Sequence, residues 1–356
     1  MNKVVALLVG TLMASALYAD GVAPRKLYAK KCEISLSSKE QDALGEESLA
    51  NLPVLVRLST AIPKFTYADF KEADGTDMVF TDGEGNVLSH EIDTWDTTGE
   101  SLVWVKLPSL SANSTLTLYF GGPKNESNVP ADTWSAYKGV WHMNDVSDNL
   151  VIKDSAGGTF DGTVPFEGSA TAIQGPFGGA AISLTNAITI VNTAAVNEIG
   201  SGLTIRGWFR NSGQASNTST IFNKQEAWNA QKGWALQYYY GYTQVQVRQA
   251  GLKQKSSTFP SSNKNWNYVA LTFVWGESVI YINGSTTGSS GGAWLSNDST
   301  PLALLGYDQM GDEFRLAKGT ATALYTSIEY QTMADANFLE YSPVSNTGTG
   351  LMLIVR

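Results

Sequence analysis

The run Trp-Asn-Tyr-Val-Ala-Leu-Thr-Phe-Val-Trp-Gly-Glu-Ser-Val-Ile-Tyr-Ile-Asn-Gly, Trp266 to Gly284, spells a β-hairpin in residues. Val269, Leu271 and Phe273 share one parity, Gly276-Glu277-Ser278 offers a short connection, and a second strand alternates from Val279 to Ile282. Asn283-Gly284 tolerates the positive φ of a tight turn, so another turn follows. A hairpin is not stable alone in water, and this one has to belong to a larger sheet packed on a second. A hydrophobic content of 43% with ten Trp, fifteen Tyr and thirty-four Gly fits a turn-rich, β-dominated protein, and 356 residues suggest two domains.

Short strands separated by polar turns run from Lys26 to Phe120, and Thr115 to Phe120 alternates cleanly, with Leu116, Leu118 and Phe120 on one side. The fold class read from the pattern is all-β: an N-terminal β-sandwich at 24–122, a linker at 123–137, a jelly-roll sandwich at 138–342 and a C-terminal tail at 343–356. The one helical stretch lies near Thr322 to Asn337.

Residues 1–19 read as a signal peptide: Lys3, an uncharged run from Val4 to Met13, then Ala14-Ser15-Ala16 or Leu17-Tyr18-Ala19 as the cleavage site. The expected location is therefore secreted or in the cell envelope, periplasm or surface. That apolar run is about half the roughly 20 residues a bilayer-spanning helix needs, and no transmembrane segment is expected in the mature chain. Cys32 is the sole cysteine, so no intramolecular disulfide can form and the core has to carry stability. A net charge of −9 makes nucleic acid a poor partner.

Ala73-Asp74-Gly75-Thr76-Asp77-Met78-Val79-Phe80-Thr81-Asp82, followed by His90 to Asp96 and Val103 to Pro108, resembles the bacterial domain of unknown function DUF2341 from about Lys26 to Gly122. Gly139 to Asn144, Asp154 to Gly158 before Asp161-Gly162-Thr163, the hairpin, and Gly311 to Leu316 resemble a laminin-G-like, concanavalin-A-like jelly roll. The resemblance implies a two-module envelope protein whose second half has a lectin and glucanase fold. It implies no single activity, since relatives of this jelly roll bind sugars, bind proteins or are enzymes.

Glu91, Asp93 and Asp96 form the pattern of a glycoside hydrolase: alternation puts Glu91 and Asp93 on one face, and a bulge would bring in Asp96. Retaining hydrolysis needs two carboxyls about 5 Å apart. Against it, the run lies in the first domain, where the family pattern already accounts for it. Two histidines, His90 and His142, and no Gly-x-Ser-x-Gly elbow leave little for a triad or a zinc site. His142 reads as a structural residue of its strand. Calcium is the metal whose oxygen ligands are present, with Asp154 and Asp312 as candidates for a structural site. An acidic turn residue capping its own backbone would look the same.

The candidate ligand face lies between Trp234 and Arg248. Trp234, Leu236 and Tyr238 share the core parity, leaving Gln237, Tyr239, Gln244, Gln246 and Arg248 opposite, with Trp228 in a nearby loop. Planar amides and aromatic rings suit a polysaccharide or glycan. A solvated outer sheet face has the same composition. The expected function is a non-catalytic binding or adhesion protein recognising a carbohydrate. The alternatives are the hydrolase and a structural module that binds an envelope protein through an apolar patch or open strand edge.

Overall fold

The structure is a computed structural model, and it describes residues 24–144, 151–157, 160–164, 170–178, 180–184, 187–190, 202–211, 218–224, 234–239, 242–249, 252–258, 265–274, 277–291, 300–306 and 309–348. The expected signal peptide and Trp228 lie outside these residues. The chain is all-β, in several antiparallel sheets with two short helices among the described residues. It divides into two compact units, residues 1–133 with 335–356, and residues 134–334.

The first unit opens with β1 (Lys30–Leu36), α1 (Ser38–Leu44), β2 (Ser48–Leu58), β3 (Met78–Asp82), β4 (Val87–Leu88), β5 (His90–Thr94), β6 (Ser101–Ser111) and β7 (Thr115–Phe120). β1, β7, β3 and β4 form one sheet, and β2, β6 and β5 the other. Leu116, Leu118 and Phe120 are buried, as the alternation predicts. Each such side chain contributes about 1.5–3 kcal/mol over an exposed one. Phe80 of the first sheet meets His90 of the second edge-on, with ring centroids 5.2 Å apart.

The second unit adds β8 (Tyr137–Trp141), β9 (Val151–Ile152), β10 (Gly162–Thr163), β11 (Ala170–Gln174), β12 (Ala180–Leu184), β13 (Ile188–Ile190), β14 (Gly202–Asn211), β15 (Thr218–Lys224), β16 (Trp234–Tyr239) and β17 (Tyr242–Gln249). It continues with β18 (Leu252–Thr258), β19 (Asn267–Val274), β20 (Glu277–Ile282), β21 (Ser285–Gly291), β22 (Leu302–Leu304), β23 (Gln309–Lys318) and α2 (Ala323–Ala334). One sheet runs β18-β17-β16-β15-β22-β13-β10-β9; the other runs β11-β12-β23-β14-β19-β20-β21, with β8 also on β23. A single core joins them: Ile188, Phe222, Leu236 and Leu304 from the first pack with Ile205, Leu271 and Phe314 from the second.

The hairpin is β19 and β20, with Val269 opposite Ile282 and Val274 opposite Glu277. Its connection is shorter than the expected Gly276-Glu277-Ser278, because Glu277 and Ser278 are already paired. Asn283 and Gly284 have φ of 51° and 76°, the double positive φ of a type I′ turn. A Cβ on Gly284 would lie 3.1 Å from the Ser327 Cα of α2, so the glycine also admits the helix.

The last strands among the described residues are β24 (Leu339–Tyr341) and β25 (Ser345–Asn346), both antiparallel to β1. This corrects the boundary at 342 and the tail at 343–356: residues 335–348 complete the first sheet, and 134–334 form an insertion within it. The Tyr341 hydroxyl oxygen strengthens the same join, accepting the Arg57 backbone N–H at 2.9 Å. The expected linker is also partly committed to the first unit, since the Asn125 N–H donates to the Thr76 carbonyl and its Nδ2 to that of Met78.

Candidate functional site

Several acidic residues of the first unit are spent on its own backbone and turns. Asp77 Oδ2 accepts the N–H groups of Lys71 at 2.8 Å and Gly121 at 3.1 Å, and Asp74 Oδ1 accepts from Thr76. Asp96 Oδ1 accepts both the Thr98 N–H, at 2.8 Å, and its hydroxyl, at 2.7 Å, and the Thr98 hydroxyl holds its carboxyl below the usual range. A carboxylate held ionised is unsuited to be the general acid of a hydrolase. The ladder of β5 on β6 shifts register between Ile92 and Thr94, which puts Asp93 at the irregularity, while Glu91 pairs with Trp104. The expected bulge is present, but it displaces Asp93 and leaves Asp96 in a turn. Trp95 is an anchor: its Nε1 donates to the Ala73 carbonyl at 2.9 Å, and its ring lies 5.0 Å from that of Phe70. A Cβ on Gly75 would fall 2.5 Å from that indole, which explains the glycine there.

A concavity of about 650 Å³ opens on the first unit, with Glu33, Asp82, Glu84 and Glu340 among its lining residues. Asp82 Oδ1 accepts the N–H groups of Glu84 and Asn86 and so closes its own turn. An acid-lined surface of this kind suits cations rather than an acceptor-rich polymer.

The expected metal ligands in the second unit do not fit calcium as they stand. Asp154 is buried; its Oδ1 accepts the Val140 and Ala156 N–H groups, each at 2.9 Å, and its Oδ2 the Phe160 N–H at 3.1 Å. Burial pushes its pKa up while those three bonds pull the other way. N–H donors occupy the positions where a cation needs further oxygens. Asp312 is buried on β23 opposite Trp208.

Sequence reasoning missed the ionic cluster between β14, β23 and α2. Glu329 receives Arg206 at 2.8 Å, Arg315 at 3.0 Å and the hydroxyls of Tyr137 and Tyr268, both at 2.9 Å. Arg315 also meets Glu313 at 2.6 Å and stacks 4.8 Å from the Trp134 ring, and Glu313 meets His142 Nδ1. Burial alone would raise the Glu313 pKa, but the charges of His142 and Arg315 hold it below its ordinary value. All these groups are sealed from solvent. The cluster binds helix to sheet, and His142 is part of it through Glu313. The visible signal was the even positions of the hairpin: Tyr268, Ala270 and Thr272 are as buried as the odd ones.

The candidate ligand residues lie on β16 and β17. Gln237 pairs with Gln246 and Ala235 with Arg248, and β18, which the sequence reading did not identify, continues these rows with Lys255 and Lys253. Gln244 pairs with Thr258 of β18, while Tyr239 pairs with Tyr242 past a register shift in β16. The flanking Leu236 is in the core, so the Gln237 row faces away from it. Gln237 is half-buried, and its Oε1 is buried with no hydrogen-bond partner among the described residues. Leaving such an acceptor unmatched costs about 1–3 kcal/mol.

DUF2341, a domain of unknown function, matches residues 74–149, a span that begins later and runs further than the Lys26 to Gly122 resemblance. No curated protein matches the chain. Among solved structures, it is similar to the binding domain of Paraclostridial Mosquitocidal Protein 1, at 17% identity and a TM-score of 0.44, over 55% of this chain and 52% of that one. It is also similar to the botulinum neurotoxin serotype D binding domain, at 14% identity and a TM-score of 0.43, over 55% and 52%. The chain thus spans about half the length of these structures.

Proposed function

We propose that the chain is a secreted, non-catalytic binding protein that recognises a carbohydrate on the outer face of β16 and β17. The observation that carries this reading is Gln237: a half-buried amide whose oxygen lacks a donor among the described residues, on a strand whose neighbour places Gln246 directly opposite. Sugar hydroxyls are donors and acceptors at once and suit paired amides. Tyr239, Gln244 and Arg248 occupy further positions of the same two strands, and Trp228 is kept as a candidate stacking ring. The partner-protein reading has less support: among the described residues, the exposed large hydrophobic side chains are Val87 and Val129.

A glycan array probed with the full chain should give binding to at least one polysaccharide class. Gln237→Ala and Gln246→Ala should each weaken it by roughly tenfold, the loss of about 1.4 kcal/mol. Binding by both variants at wild-type strength would move the site elsewhere, and silence across every glycan would overturn the reading.

A further inference from the structure

From Ala227 to Gly276 the chain holds Lys232, Arg248, Lys253, Lys255 and Lys264 and not one Asp or Glu, although the whole chain carries 33 acidic residues and a net charge of −9. Strands β16, β17 and β18 all fall within that span and lie side by side at one end of their sheet. Register concentrates the charge further. Arg248 sits opposite Lys253, and Gln246 sits between Gln237 on one side and Lys255 on the other. Directly opposed residues of an antiparallel pair share a face with Cβ atoms about 4.5–5.5 Å apart, and like charges so placed are destabilising. Rows two residues apart on one face are separated by about 7 Å. Three cationic positions therefore occupy two adjacent rows, no acid on these strands offsets them, and the two glutamines extend one row.

We infer that this face takes a polyanionic glycan, a carboxylated or sulfated polysaccharide. The inference rests on the glycan-binding reading above and adds the charge of the ligand. Arg248 supplies a fork that matches a carboxylate or sulfate, Lys253 and Lys255 supply point charges, and Gln237 and Gln246 take the sugar hydroxyls. Three strands span about 10 Å, a width suited to one polysaccharide strand. The acidic remainder of the chain disfavours a duplex nucleic acid that would reach beyond this face.

The test measures binding of the full chain to polygalacturonate, dextran sulfate, neutral dextran and double-stranded DNA at low and high salt. At least one acidic polysaccharide should bind about tenfold or more tighter than dextran, and its affinity should fall as salt rises, because exposed charges are screened over about 10 Å at 0.1 M. Lys253→Gln with Lys255→Gln should remove that preference, and Lys253→Arg with Lys255→Arg should keep it. Gln237→Ala should weaken whatever glycan binds, which ties the charge to the same face. Equal binding of dextran, unmoved by the lysine substitutions, would overturn the inference and leave the glycan reading intact. Silence with every polysaccharide would overturn both. DNA binding as tight as the acidic polysaccharides would also overturn the inference, since the face would then respond to charge alone.

Discussion

His90 illustrates how burial sets the chemistry of a residue. It is one of only two histidines in the sequence, too few for a triad or a zinc site; the fold buries it between the sheets of the first unit, with Nδ1 lacking a hydrogen-bond partner among the described residues. Burial pushes its pKa down to about 4 from an ordinary 6.5, against a smaller opposing effect from the Leu88 backbone. A base whose folded pKa is depressed stabilises the fold above its unfolded pKa, and that contribution is lost as pH falls from about 6.5 towards 4. The loss is on the order of 3 kcal/mol. Urea titrations across this range should show it, and His90→Phe should flatten the dependence; an equally steep fall in the variant would place the titrating group elsewhere. Asp154 makes the complementary point. A turn-capping role was legible from its loop, but the three N–H donors that meet its carboxylate come together only in the fold, from Val140 on β8 and from Ala156 and Phe160.

At the scale of elements, period-two patterning found most of the strands, and the hairpin's parity correctly assigned Val269, Leu271 and Phe273 to the core. It failed where strands are buried on both faces or carry few apolar residues. β18, Leu-Lys-Gln-Lys-Ser-Ser-Thr, is held by its pairing with β17 rather than by any pattern of its own. α2 was legible only weakly for a related reason. Thr322 caps it, its hydroxyl accepting the Tyr325 N–H at 3.1 Å, but the face it buries includes Thr326, Glu329 and Thr332 as well as Ile328 and Met333. A helix seated on ion pairs leaves little amphipathic trace. Removing one partner of a buried ion pair costs about 3–5 kcal/mol. Glu329→Gln should therefore lower the unfolding free energy of the second unit by that order, as read by denaturant titration of tryptophan fluorescence. A loss below about 1 kcal/mol would mean that water already reaches Arg206 and Arg315.

For the whole molecule, local pattern could not disclose that β24 and β25 belong with β1, because strand pairing is indifferent to distance along the chain. Cys32 reports this join: its Sγ lies 3.1 Å from the Ser342 carbonyl, and burial pushes the thiol up to about 11. A thiol in that state is inert at neutral pH. Deleting residues 335–356 should uncover β1 and make Cys32 react with a thiol reagent at least tenfold faster than in the full chain, the full chain remaining slow until unfolded; equal rates would show that the returning strands do not cover it. The insertion also bears on how the first unit closes. Closing a flexible loop costs entropy that grows with the logarithm of its length, and β7 and β24 are joined through the whole second unit. Yet Tyr137, near the start of that unit, bonds to Tyr325 at 3.0 Å and Glu329 at 2.9 Å, near its end. Once the inserted unit has folded, its two ends are stapled together, and a closure across some two hundred residues becomes one across roughly 25. A guest folded before its host would therefore lower the entropic cost of bringing β24 back to β1.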